Sequence, residues 1–125
     1  MRWSLATRVP SDKRLTRTQA LHVPTGLTIE GYEIHIGRSS GPDCDRPFAM
    51  IDGVADGAIS ADGRVMGSYL HGMFGNDRFR SAFLTALGAV PSGLDYGQGV
   101  EATLDALAAH LEAHLDVAGL LALAR

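Results

Sequence analysis

Gly57-Ala58-Ile59-Ser60-Ala61-Asp62-Gly63-Arg64-Val65-Met66-Gly67-Ser68-Tyr69-Leu70-His71-Gly72 places two short apolar segments on either side of Asp62-Gly63. An Asp-Gly pair supplies the positive φ that a tight turn needs, so the run predicts a β-hairpin. Its second strand continues through Tyr69 into His71. Gly72 then allows a backbone path that a Cβ obstructs. A histidine where a strand ends is well placed for chemistry, because loops at strand ends carry many catalytic groups.

Downstream of that histidine, Asn76 or Asp77 can cap a helix with Phe79, Ala82, Phe83, Ala86 and Leu87 on one stripe and Gly88 as its stop. A loop from Ala89 to about Gly97 follows. Val100, Leu104, Leu107, Leu111 and Leu115 recur every three or four residues, which predicts an amphipathic helix. Asp116 can start a last short helix through Val117, Leu120, Leu121 and Ala124.

Upstream, Leu27 to Gly37 alternates apolar with polar residues and reads as extended structure bent at Gly31. Alternation puts Tyr32, Ile34 and Ile36 on one face, and Glu33 and His35 on the other. Ser39–Asp43 reads as a loop and Pro47–Ile51 as a short strand. The basic opening shows no sustained period, so residues 1–24 are expected to be a connector and residues 25–125 the folded part. Strands first and helices last predict an α/β or α+β domain rather than a bundle.

At 125 residues the chain has room for one modest domain, and a 46% hydrophobic content with mean hydropathy near zero argues for a packed core over disorder. A net charge of −3 gives no field to draw the chain to nucleic acid or anionic lipid. The charge is uneven: residues 1–20 carry about +4 and the remainder about −7. Cys44 has no partner for an internal disulfide, which fits a reducing compartment. No apolar run approaches the roughly 18 residues of a membrane span, and the first residues lack the apolar stretch of a signal peptide. The expectation is a cytoplasmic protein with no membrane or nucleic-acid partner.

Several residues suggest chemistry on sight. His110 and His114 are spaced to share a helix face, but Leu111 stands where a zinc-protease motif needs Glu, so they read as solvated and no metal site is expected. Cys44 lies between Asp43 and Asp45, which disfavour a thiolate, and it reads as an incidental thiol. Glu33 and His35 can orient a substrate or a second histidine by hydrogen bonding, or can simply be the polar face of a half-buried strand.

Two segments are recognisable together: Gly31-Tyr32-Glu33-Ile34-His35-Ile36-Gly37-Arg38 and Gly67-Ser68-Tyr69-Leu70-His71-Gly72-Met73-Phe74. The ordered pair resembles the cobyric acid synthase family, the first through its Gly-Tyr-Glu-Ile-His stretch and the second through the Tyr-Leu-His-Gly-x-Phe stretch around the glutaminase histidine. The likeness continues through Arg46-Pro47-Phe48, Asp52-Gly53, Phe79-Arg80 and the terminal leucine-rich helices, and takes in Lys13-Arg14-Leu15.

The resemblance implies the C-terminal portion of a flavodoxin-like class I glutamine amidotransferase domain, α/β, with a β-hairpin and C-terminal helices. In that family glutamine hydrolysis supplies ammonia to an ATP-dependent synthetase domain. The acceptor is a corrinoid, adenosylcobyrinic acid a,c-diamide, which becomes cobyric acid. His71 would serve as general base to a cysteine thiol and then as general acid to departing ammonia. Glu33, His35 and Tyr69 would support it, with Glu33 the candidate to replace the carboxylate that many such enzymes carry two residues after the histidine, where Met73 stands here.

The family's nucleophilic cysteine, on a glycine-rich elbow, is not among these residues, and neither are the phosphate loop and magnesium ligands of the synthetase half. The resemblance therefore implies a fragment or split subunit, inactive alone, which binds no cofactor itself while its parent uses ATP, Mg and glutamine. Its partners would be the nucleophile-bearing half and the synthetase domain. The isolated chain is expected to fold partially, associate or be poorly soluble. Two other readings stand beside this one: the amidotransferase half of cobyrinic acid a,c-diamide synthase or of a peptidoglycan-amidating enzyme, and a non-catalytic interaction domain whose basic arm meets an acidic partner.

Overall fold

The computed structural model describes residues 4–8 and 14–124, in two units, Met1–Ser92 and Gly93–Arg125. In chain order the first unit holds β1 (Ala6–Arg8), β2 (Arg14–His22), β3 (Leu27–His35), β4 (Arg38–Ser40), a 3-10 turn (Pro42–Asp45), β5 (Ala49–Ile51) and β6 (Val54–Asp56). It continues with β7 (Ala58–Ile59), β8 (Met66–Gly67), β9 (Leu70–His71), a second 3-10 turn (Met73–Gly75) and α1 (Asp77–Ala86). The second unit holds α2 (Tyr96–His114) and α3 (Val117–Leu123).

Five strands form one sheet in the order β6-β5-β2-β3-β9, and β1-β4 and β7-β8 form two small ladders. The chain is thus mixed α/β. Every ladder among the described residues is antiparallel, the pairing that short reversals such as the one joining β2 to β3 allow. The parallel strands of a flavodoxin-like domain are not among them.

The largest departure from expectation lies in residues 1–24. Where a connector was expected, β2 pairs along its whole length with β3 and through Ala20–His22 with β5. Residues 1–3 and 9–13 of that stretch lie outside the described residues. β2 escapes an apolar-periodicity test because its inward residues are Thr18, Ala20 and His22, whereas Leu15 and Leu21 point outward and are 64% and 46% exposed.

A second inversion follows in β3. The expected alternation is present and runs through Gly31 without a break, but Ile29, Gly31 and Glu33 are the buried residues, while Tyr32 is 48% exposed. Ile36 lies beyond the strand and is also exposed. The inner face is therefore the one carrying Glu33. Ala20, Ile29, Phe48, Ala49, Ile51, Leu70 and Phe79 form the core on that face. Phe79 comes from α1, whose first turn is closed by the Asn76 side chain accepting from the Phe79 amide at 2.9 Å.

The hairpin is present as β7 and β8, with Ala58 opposite Gly67 and Ile59 opposite Met66. Gly63 takes the positive φ, 68°, and the Asp62 carboxylate ties the loop by accepting from Ser60 Oγ and the Arg64 amide. These two hydrogen bonds hold the Asp62 carboxyl below its usual pKa. One continuous strand through to His71 was expected; instead the path jogs at Ser68, and β9 leaves the hairpin to join the large sheet beside β3. Asp56 secures the jog, accepting from Ser68 Oγ and from the Tyr69 amide.

In the second unit α2 and α3 are capped by Asp95 and Asp116, which accept from the amides of Gln98 and Gly119. α2 begins at Tyr96, within the expected loop. No single helix among the described residues is long and apolar enough to cross a membrane; α2 and α3 together would pass by length and composition but are bent by 89° at their break.

Candidate functional site

His71 is the last residue of β9, at the edge of the sheet, and sits directly across from Tyr32 of β3. Residues facing each other across a ladder share a side of the sheet, so His71 and Tyr32 lie on the outer face and their neighbours Leu70 and Glu33 on the inner one. The burial agrees: Leu70 and Glu33 are 2% and 7% exposed, whereas His71 is exposed. Close strand approach makes this pairing possible, because a Cβ on Gly31 would lie 2.5 Å from the His71 carbonyl oxygen. Gly72, at φ 77°, then turns the chain into the 3-10 turn before α1.

The imidazole has a defined orientation. Nδ1 lies 3.0 Å from the carbonyl oxygen of Tyr69, and a carbonyl can only accept, so Nδ1 carries the proton. In the neutral ring the lone pair then belongs to Nε2. A proton acceptor on an exposed edge strand, its tautomer set from behind, suits general base and acid chemistry.

Glu33, His35 and Tyr69 are brought together, but on the inner face. His35 Nε2 meets Glu33 Oε1 at 3.0 Å, and His35 Nδ1 donates to the Gly37 carbonyl at 2.7 Å. The His35 ring stacks on Tyr69, centroids 4.5 Å apart and planes 22° from parallel. Tyr69 Oη is 2.6 Å from Ser39 Oγ. Glu33 therefore does not occupy the place of a carboxylate bonded to His71; the sheet lies between them. Strand parity is the reason, since an odd residue of β3 faces Leu70 rather than His71.

These inner-face groups border a cavity of about 350 Å³, which Cys44, Asp52 and Asp56 also line. Cys44 is partly buried in the 3-10 turn. His110 and His114 do share a face of α2; both are exposed, and His114 Nδ1 donates to the His110 carbonyl. Among the described residues no three His, Cys, Asp or Glu side chains could together hold a metal ion.

Sequence reasoning did not find Ser39, Gly37 or Asp56, which hold His35 and Tyr69 in place. All three act from a loop or from a three-residue strand, too short to show a local period. It also passed over His22, which is 2% exposed and packed between Phe48, Phe79 and Phe83. Burial lowers its pKa from 6.5. Its Nδ1 meets Thr25 Oγ1 at 2.7 Å, and its Nε2 has no hydrogen-bond partner among the described residues.

Comparison with known proteins gives the site a family. A family model described as a CobB/CobQ-like glutamine amidotransferase domain matches residues 4–79. The chain is 64% identical over 121 residues to a cobyric acid synthase of Cereibacter sphaeroides, covering 97% of this chain and 25% of that protein. It is 63% identical over 119 residues to one of Rhodobacter capsulatus and 58% identical over 120 residues to one of Bradyrhizobium diazoefficiens, covering 95% of this chain and 25% of the relative in both cases. The chain thus spans about a quarter of the length of these curated relatives. No solved structure matches. With the histidine strand and the Glu33–His35 strand both inside the matched stretch, the chain belongs to the CobB/CobQ-like glutamine amidotransferase family.

Proposed function

We propose that this chain supplies the histidine half of a glutaminase site in a cobyric acid synthase. The observation that carries the reading is the exposed His71 imidazole, with Nδ1–H bonded to Tyr69 and Nε2 left to exchange a proton. A cysteine from a nucleophile-bearing segment gives its thiol proton to Nε2, and the thiolate attacks the γ-carboxamide carbon of glutamine. His71 then returns the proton to the departing nitrogen, releasing ammonia and leaving a glutamyl thioester. Water, deprotonated by the same Nε2, hydrolyses that ester to glutamate and restores the thiol.

The ammonia passes to an ATP-dependent synthetase domain that amidates peripheral carboxylates of adenosylcobyrinic acid a,c-diamide to give cobyric acid, in the cytoplasm. The names of the relatives support this acceptor over those of cobyrinic acid a,c-diamide synthase and peptidoglycan amidation. In the assembled domain the sheet described here is the C-terminal portion of a flavodoxin-like fold. The exposed Leu15, Leu21 and Tyr32 lie on the same outer face as His71, and we place the nucleophile-bearing segment against them.

The test combines this chain with that segment and measures glutamate released from glutamine. His71→Ala is expected to lower turnover by about 10²- to 10⁴-fold, the usual contribution of a positioned acid–base group. Unchanged turnover in His71→Ala rejects the assignment and favours a non-catalytic domain.

A further inference from the structure

We infer that Tyr69 is the positioning residue for His71, clamped from the far side of the sheet by the Glu33–His35 pair, so that a backbone carbonyl does the work a triad carboxylate does elsewhere. The inference rests on the glutaminase reading of His71 and adds what fixes its tautomer.

An imidazole that is to act through Nε2 needs a steady acceptor at Nδ1. Neither candidate carboxylate position provides it: Met73 occupies the place two residues after His71, and Glu33 faces the other way. The acceptor present is the Tyr69 carbonyl, two residues back and just before β9. Such a carbonyl orients a ring only as well as its own peptide is held, and β9 is a two-residue edge strand.

Tyr69 is held at four points. Its carbonyl also accepts from the Ile34 amide at 3.1 Å, and its amide donates to Asp56 Oδ2 at 3.2 Å. Its ring lies on His35, and its hydroxyl bonds Ser39. His35 cannot slide, because Gly37 and Glu33 each face one of its ring nitrogens. The pair is a fixed platform under the tyrosine ring. Glu33 therefore reaches His71 through Tyr69 rather than by touching it.

Long-range proton–nitrogen correlation spectra of the imidazoles, recorded on the 125-residue chain, test this directly. Wild-type His71 is expected in the Nδ1–H form, against the Nε2–H form that a free histidine favours. Finding Nε2–H in the wild type overturns the inference without any variant. Tyr69→Leu, which loses both the stack and the hydroxyl, is expected to shift His71 toward Nε2–H, and Tyr69→Phe, which keeps the stack, to hold Nδ1–H. An unchanged tautomer in Tyr69→Leu also overturns it.

With the nucleophile-bearing segment added, Tyr69→Leu is expected to lower kcat by about 10- to 100-fold with little change in the KM for glutamine, and Tyr69→Phe to restore most of it. A KM effect alone refutes positioning. Failure of the glutaminase reading is separate, because it shows in the turnover of His71→Ala and leaves the tautomer as it is.

Discussion

The two faces of the five-stranded sheet follow opposite rules. On the inner face a carboxylate and two histidines, Glu33, His35 and His22, are withdrawn from water among Phe48, Phe79 and Tyr69. On the outer face Leu15, Leu21, Tyr32 and the His71 imidazole stand in solvent. The buried polar groups are anchored by side-chain contacts, His35 to Glu33 and His22 to Thr25, whereas the apolar side chains of the outer face are left in solvent. Residue hydrophobicity alone therefore misleads about burial in this sheet.

The comparison breaks most readily at Phe79. Phe79→Ala is expected to cost about 3–5 kcal/mol in urea unfolding, as befits a fully buried aromatic at the centre of the inner face. A loss below about 1 kcal/mol would remove the distinction between the faces. Gly31→Ala comes next, at about 1–3 kcal/mol, because its new Cβ meets backbone rather than a side chain that can move. Its signature is faster hydrogen exchange at the Ile34 amide, which bonds the Tyr69 carbonyl just before β9.

His22 sharpens the comparison through pH. Its folded pKa is lowered by burial, so below 6.5 the unfolded chain takes up a proton that the folded chain resists, and stability falls as pH falls toward the lowered value. The recorded neighbours, Phe48, Phe79, Phe83, Thr25, Leu27 and Ala49, carry no charge that would offset this. Melting His22→Gln and wild type side by side is expected to show a flatter pH dependence in the variant below 6.5. Parallel curves would argue against a neutral buried ring. The smallest effect belongs outside: Leu21→Ser is expected to stay within about 0.5 kcal/mol in thermal unfolding of this chain, and a larger loss would mean that the outer face is already covered.

Legibility followed locality. Asp62-Gly63, Asn76 before Phe79 and the leucine spacing of α2 announce themselves because turn, cap and helix are written within a few residues. β2 did not, since Thr18, Ala20 and His22 look like a loop until β3 and β5 flank them. The alternation in β3 was readable but its sidedness was not, because what covers each face is decided by distant chain. For the site, His71 and its place at a strand end were readable. That Glu33 belongs with His35 and Tyr69 rather than with His71 depends on the register of β3 against β9, which no single-strand pattern contains.

The brevity of β9 has an evolutionary corollary. With only Leu70 and His71 in the ladder, parity alone separates an exposed imidazole from a core leucine. A single-codon insertion or deletion between Ser68 and Leu70 would exchange their sides, driving the ring into hydrocarbon and the leucine into solvent. Natural variants should tolerate length changes in the loop at Ala61–Arg64 long before they tolerate one there.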